Sequence, residues 1–425
     1  MLGDSIPAAW SESGAQTARF LPFESGEQEL NKEPRRRPRI AVVTSYFPTR
    51  EEPYRGHSAY QTLRHMTNRA DLQVFCPLPV YPRWYRWGSA NFRYRRMDLD
   101  FSPPDVAARY FSYTTLPLLT RPINGRLCLR VVEQAVAAFQ PDLILNFWLY
   151  PDGLAAVLLG KRLGVPVIVE ALGSDLRRIG DASTRFWTGR VLRDAARVLA
   201  VSEDLRHHAL AFGVPAGKTH VIRNACDSGI FAPADRAAAR AALGLAQEDE
   251  ILLYAGSLIR SKGLLELWGA FAGLARRRSA LRLVLVGEGP LAGRLKSMAR
   301  AAGLEQRLRL AGQCSSQEVA RWLAAVNVFC LPSHSEGMPN VVIEAIACGR
   351  PVVASNVGGV GELVNAENGI LVPPRDVSAL AAALDRAMLR NWEPSVIAST
   401  YRRSWEQAAE ETWQVCSSLL PRADE

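Results

Sequence analysis

The chain has no apolar run long enough to span a bilayer without interruption. Its nearest approach, Leu143 to Gly160, is broken by Asn146, Pro151, Asp152 and Gly153, and reads as strand, turn and helix. No basic segment followed by an apolar core opens the sequence, so a secretory signal is not expected. Cysteines are few for 425 residues: seven, scattered, and never spaced Cys-x-x-Cys. That argues against a disulfide framework or a cysteine-based zinc site and fits a reducing compartment. Nucleic-acid recognition motifs are also lacking, so no nucleic-acid partner is expected.

What is present is a soluble globular composition, 48% hydrophobic and 22% charged, in a chain long enough for two domains. The charge is uneven. Residues 38–222 carry 24 basic and 15 acidic groups, whereas residues 223–398 carry 19 and 16. A basic first half suits an anionic membrane surface or a phosphate-bearing acceptor. Residues 1–37 are polar and without period, and read as a flexible leader. The stretch 81–97 (YPRWYRWGSANFRYRRM) interleaves aromatic rings with cations, as membrane interfaces favour. It is the expected point of peripheral contact with an anionic membrane, the alternative being a partly buried insertion with a solvated basic rim.

The most informative stretch is LPSHSEGMPNVVIEAIACGRPVVASNVGGVGELV, residues 331–364. An apolar strand ends at Leu331, a loop follows, and a helix is expected from near Pro339 to a stop at Gly349 before the next strand, Pro351 to Val357. In such a βαβ unit the ligand crevice lies beyond the carboxyl end of the strand. The free N–H groups at the helix start would hold a phosphate near Met338, Pro339 and Asn340. Glu344 then lies roughly 7 Å further along, at about 1.5 Å rise per residue. From there it cannot usefully face the phosphate but can accept hydrogen bonds from the ribose diol of the same nucleotide. Glu336, before the helix, can face a sugar hydroxyl. Taken singly, Glu336 could equally complement the helix dipole, and Glu344 could be a surface residue.

Together these residues resemble the E-x7-E region of retaining GT-B glycosyltransferases of family 4. The match runs through Glu336-Gly337, Pro339-Asn340, Glu344-Ala345, Gly349-Arg350-Pro351-Val352-Val353, Gly358-Gly359 and Glu362. The resemblance covers roughly residues 39–420. It implies an α/β architecture of two Rossmann-like domains facing across a cleft: an acceptor-side domain at 38–222, a nucleotide-sugar domain at 223–394, and a helix at 395–420 crossing back onto the first. Alternating strands and helices in the second half agree, with strands expected at 250–257, 281–287, 307–312, 326–331, 351–357 and 369–373.

Site residues follow from the same resemblance. After the first strand of the second half, Gly256-Ser257-Leu258-Ile259-Arg260-Ser261-Lys262-Gly263 is similar to the family's diphosphate loop, with Lys262 in register. Ser257 stands where the family has arginine, and Arg260 is a candidate replacement cation. Gly173-Ser174-Asp175 matches a family motif that usually begins with histidine, here Leu172. Asn224, Asp227 and Phe231 match the family's inter-domain crossing. Gly56 and His57 occupy the first-strand loop on the acceptor side. Glu336, Lys262 and Asp175 are therefore the expected catalytic residues. Glu344, Gly256, Ser257, Arg260, Gly337, Met338, Pro339, Asn340 and Gly173 are expected to bind the donor. No metal and no cofactor are expected, the nucleotide sugar being a co-substrate.

The resemblance implies a hexosyltransferase-type enzyme that moves a sugar from a UDP- or GDP-linked donor to a glycan or lipid-linked acceptor. Its flavour, with Tyr81-Pro82 and Pro151-Asp152-Gly153, is that of cell-surface and exopolysaccharide assembly in the cytoplasm or at the inner membrane face. Leu172 and Ser257 keep open an inactive nucleotide-sugar-binding partner subunit, and the same fold also hosts nucleotide-sugar epimerases.

Overall fold

The computed structural model describes residues 36–82, 98–116, 119–177 and 179–421. Nearly all of the leader and residues 83–97 of the aromatic and basic stretch lie outside the described residues. The first half builds β1 (Arg39–Val43), β2 (Asp71–Val80), β3 (Ala108–Thr114), β4 (Leu143–Phe147), β5 (Val167–Ala171), β6 (Arg197–Ala200) and β7 (Thr219–Val221) into one sheet of order β3-β2-β1-β4-β5-β6-β7. The second half builds β8 (Glu250–Ala255), β9 (Leu281–Val286), β10 (Leu308–Gly312), β11 (Val328–Leu331), β12 (Val352–Ser355) and β13 (Gly369–Val372) into a second sheet of order β10-β9-β8-β11-β12-β13. Neighbouring strands are parallel in both.

Parallel strands covered by helices on both faces lose their outward polar positions. The central strands show it: LILNF in β4 and VIVEA in β5 are buried at every residue. The six strands expected in the second half are all present. Two in the first half, β3 and β7, were not foreseen. ARYFSYT in β3 lies at the sheet edge and mixes buried with exposed residues, so no apolar run marks it. The second, β7, has only three residues.

Chain order reverses beside β1 in the first sheet and beside β8 in the second. These are the topological switch points, where the loops at the strands' carboxyl ends part and leave a crevice. The loops after β1, β4, β5, β8 and β11 therefore decide what this protein can bind.

The expected single helix over 395–420 is instead two, Pro394–Ser399 and Trp405–Ser417. The break has tertiary causes. The Tyr401 hydroxyl donates to the Asn224 carbonyl at 2.5 Å, and the Arg403 guanidinium donates to the Arg223 carbonyl at 2.9 Å. Both contacts tie the interruption to the crossing segment after β7. Ser404 and Gln407 then form a capping box that restarts the helix. The second helix buries Trp405, Ala408, Ala409 and Cys416 in the core that holds Phe47, Leu63 and Met66 from the first half. Trp405→Ala is expected to cost about 3–5 kcal/mol, as for other buried tryptophans, read as a fall in the urea midpoint of the full chain.

Candidate active site

The loop after β11 is fixed before any ligand arrives. The His334 amide donates to the Ser261 carbonyl at 2.9 Å, joining it to the loop after β8. The helix then runs Asn340–Ala347, starting one residue later than expected because Pro339 caps it in an extended conformation. It stops at Gly349, whose φ of 69° is the left-handed value that ends helices cheaply only at glycine.

Glu336 and Glu344 flank this helix start, and Lys262 reaches the first of them. Its Nζ lies 2.7 Å from Glu336 Oε1, with the side chains only 25% and 10% exposed. Lys262 belongs to the short turn Arg260–Lys262 after β8, which closes with Gly263 at φ 69°. A Cβ at Gly263 would lie 1.9 Å from the Pro332 carbonyl oxygen, so glycine is required where the β8 and β11 loops touch.

A cleft of about 600 Å³ opens between the halves, and neither Lys262 nor Glu336 is among its lining residues. Gly256, Ser257, Asn340, Val341 and Glu344 line it from the second half, and Tyr46, Arg55 and His57 from the first. Gly287, Glu288, Gln313 and Cys314 close its far end. Gly287 and Glu288, from the Gly287-x-Gly289-Pro290 turn, thus belong to the site. Burial pushes the Glu344 carboxyl from its ordinary 4.5 up to about 7.

The two halves meet through backbone. A Cβ on Gly337 would lie 2.1 Å from the Leu172 carbonyl oxygen, and one on Gly173 (φ 137°) would lie 2.7 Å from Gly337 Cα. The Gly359 amide donates to the Gly337 carbonyl at 2.7 Å. Asn224 donates through Nδ2 to the Met338 carbonyl at 3.0 Å and to Asn340 Oδ1 at 2.8 Å, so the crossing segment holds the helix start in place.

Asp175 is placed differently from a group facing substrate. Its buried carboxylate accepts N–H bonds from Gly173 at 2.8 Å, from Leu172 at 3.2 Å and from Leu149 at 3.3 Å. Burial raises its pKa, and those amides oppose the rise. Arg260 is exposed and does not line the cleft, so the structure does not supply it as a replacement for the arginine missing at Ser257. Gly56, at φ 60°, lets the chain pass the Tyr46 carbonyl. His57 opens the helix His57–Arg64 with its ring edge-on to Trp405, centroids 6.1 Å apart, and burial lowers its pKa.

Arg55, expected in the first-strand loop with Gly56 and His57, lines the cleft, as does Tyr46, which was not foreseen. Arg55 stands beside the quoted glycine, and its guanidinium donates to the Ser45 carbonyl at 2.9 Å. Tyr46 stacks on Trp148 at 4.9 Å, a pairing no sequence spacing marks. Asp98-Leu99-Asp100 has the Asp-x-Asp spacing of some metal sites. Asp98 pairs with Arg50 at 3.0 Å and neither aspartate lines the cleft. Among the described residues, no group of three or more His, Cys, Asp or Glu is placed to hold a metal ion, and no helix is long and apolar enough to cross a membrane.

Two Rossmann-like sheets with facing switch points, and an E-x7-E loop and helix between them, define a glycosyltransferase of the GT-B fold. The chain matches the family described as Glycosyl transferase 4-like domain over residues 35–225 and Glycosyl transferases group 1 over residues 235–412. It belongs to family 4 of the GT-B glycosyltransferases. TuaC of Bacillus subtilis, named as a teichuronic acid biosynthesis glycosyltransferase, is 27% identical over 392 residues, 85% of this chain and 92% of that one. A D-inositol 3-phosphate glycosyltransferase of Nocardioides is 31% identical, covering 69% and 72%. Among solved structures, sucrose-phosphate synthase from Thermosynechococcus elongatus superposes with a TM-score of 0.70 at 22% identity, over 90% of this chain and 99% of that one. HepE from Anabaena, in complex with UDP, gives 0.69 at 19% identity, over 90% and 100%.

The Glu344 carboxyl yields a pH prediction. With its folded pKa above the unfolded value, it binds a proton more readily in the folded state, so it lowers stability as pH rises from about 4.5 to about 7 and costs most above that. Glu344→Gln is therefore expected to melt at a higher temperature than the wild type at pH 8. The gain should vanish at pH 4, a comparison made by paired thermal denaturation without nucleotide.

Proposed function

We propose that the protein is a retaining glycosyltransferase that moves a sugar from a nucleotide-sugar donor, UDP- or GDP-linked, to a glycan or lipid-linked acceptor in cell-surface polysaccharide synthesis. The observation that carries this reading is the Lys262–Glu336 pair at 2.7 Å, with Glu336 on the loop that leads into the Asn340–Ala347 helix bearing Glu344. In this reading the donor diphosphate lies against the amides of the helix start and Lys262, the ribose diol meets Glu344, and Glu336 accepts from a hydroxyl of the transferred sugar.

Glycosyl transfer builds positive charge on the sugar and negative charge on the leaving phosphate. Fixed positive potential at the phosphate acts most strongly as the bond breaks, because the lysine and the helix start need no reorganisation. The leaving phosphate itself then takes the proton of the incoming hydroxyl on the same face, which retains configuration without a protein nucleophile or a metal. Asp175 is a positioning residue here: it holds the amides of Leu172 and Gly173 where that loop meets Gly337. Leu172 removes a polar contact to the sugar, and with Ser257 it favours the second reading, an inactive nucleotide-sugar-binding subunit.

Support for the donor comes from HepE, solved with UDP and also with UDP-glucose. Support for a polysaccharide product comes from the name of TuaC, which places that protein in teichuronic acid biosynthesis. The donor site is tested by thermal stabilisation of the full chain with UDP, GDP and ADP. A ligand held only by the folded state at a hundred times its Kd adds about 2.7 kcal/mol of stability. One nucleotide is expected to raise the wild-type melting temperature, with the response lost in Glu344→Ala. No response to any of the three overturns the donor site, and an unchanged response in Glu344→Ala overturns the ribose assignment.

A further inference from the structure

A second cavity, of about 410 Å³, lies beside the residues that precede the lysine and glutamate of the ion pair. Arg177, His208, Ser261, His334, Ser335 and Arg375 line it. Ser261 and Ser335 are the immediate chain neighbours of Lys262 and Glu336, yet no lining residue is shared with the nucleotide cleft. Two of the six residues come from the first half and four from the second, so the cavity is assembled by the apposition of both.

Its lining has one sign. It contains two guanidinium groups, two imidazoles and two hydroxyls, and no carboxylate. Two carboxylates outside the lining, Asp204 and Glu266, pair with three of the four basic groups. Asp204 Oδ1 lies 3.5 Å from an Arg177 nitrogen, and Glu266 Oε1 lies 3.0 Å from His334 Nε2. His208 is oriented by its Nδ1 contact to the Asp204 carbonyl at 2.8 Å. Arg177 also donates to the Glu336 carbonyl at 3.3 Å, which fixes one guanidinium against the backbone of the transfer site. Arg375 is exposed and has no ion-pair partner among the described residues. It sits at φ 65° on the turn after β13.

Guanidinium forks and hydroxyl donors without a competing carboxylate are suited to phosphate and carboxylate oxygens. With the donor diphosphate assigned to Lys262 and the start of the Asn340–Ala347 helix, this lining is left for a different anion. We infer that the cavity binds an anionic group, phosphate or carboxylate, carried by the sugar end of the substrates. This rests on reading Lys262 and Glu336 as the transfer site. The substrates on this account are charged beyond the nucleotide: either a phosphorylated acceptor or a sugar bearing a carboxylate.

The test titrates sodium phosphate, glucose 6-phosphate, glucuronate and, as the neutral control, glucose against the full chain at constant ionic strength, with the melting temperature as readout. Each titration is run with and without saturating UDP, which occupies the diphosphate position. A saturable rise with UDP present is expected from phosphate and glucose 6-phosphate if the source is a phosphate, or from glucuronate if it is a carboxylate, and not from glucose. In Arg375→Gly, which suits the positive φ, the apparent affinity for that anion should fall about tenfold, the loss of one charge-assisted hydrogen bond. Arg375→Lys should keep most of it, and the UDP response should be the same in all three proteins. The inference is overturned if no anion stabilises the wild type, if glucose does so equally, or if Arg375→Gly responds as the wild type does. A missing UDP response counts against the donor site alone, because the anion titrations without UDP still read the cavity through Arg375.

Discussion

The ion pair between Lys262 and Glu336 joins the loop after β8 to the loop after β11, the two strands at the switch point of the second sheet. Its side chains are only 25% and 10% exposed, and charge interactions shielded from water are worth more than at the surface. The neighbourhood is built around keeping it there: Gly263 passes against Pro332, His334 bonds to Ser261, and Asn224 grips the helix start from the crossing segment. A lysine already paired with a carboxylate is held in place for a second anion. In the proposed reaction that anion is the leaving phosphate, so the pair is both a structural tie and the source of preorganised potential.

The same region carries groups that cost stability. Burial raises Glu344 to about 7, Asp152 to about 7 and Glu170 to about 8. Carboxyls left without full compensation in a core are seldom retained for folding alone. Glu344 lines the cleft, where the proposed reaction gives its carboxyl a ribose diol to meet. Glu170 lies on β5, with Asp175 adding to its upward shift, and Asp152 bonds to the Ser45 amide behind the first-strand loop. Both are buried in the first half, and neither lines the cleft.

Much of this was legible in the sequence, and the rest was hidden for identifiable reasons. Apolar strands of the second half and the Glu336 to Glu344 spacing are local patterns, and local patterns survive folding. Edge strand β3 escaped because its burial is one-sided and its residues are mixed. The break at 400–404 escaped because its cause lies in the carbonyls of Arg223 and Asn224, far away in sequence. Arg260 looked like a spare cation from its place in the loop, but the turn that brings Lys262 inward leaves Arg260 exposed. Asp175 looked like a residue facing substrate, and only the hydrogen-bond pattern shows its oxygens taken by amides. The basic cavity needed both halves in place, since its six residues are spread from 177 to 375.

The most direct test of the central claim is nucleotide release from donor sugar by the wild type and by Lys262→Ala, with melting temperatures checked to show that both are folded. The account predicts turnover in the wild type and a fall of about 10²–10³ in kcat for the variant, the usual loss when one preorganised donor is removed from a developing anion. Undiminished turnover in Lys262→Ala would contradict the account. No turnover in the wild type, with nucleotide still bound, would leave the protein a binding subunit instead of an enzyme.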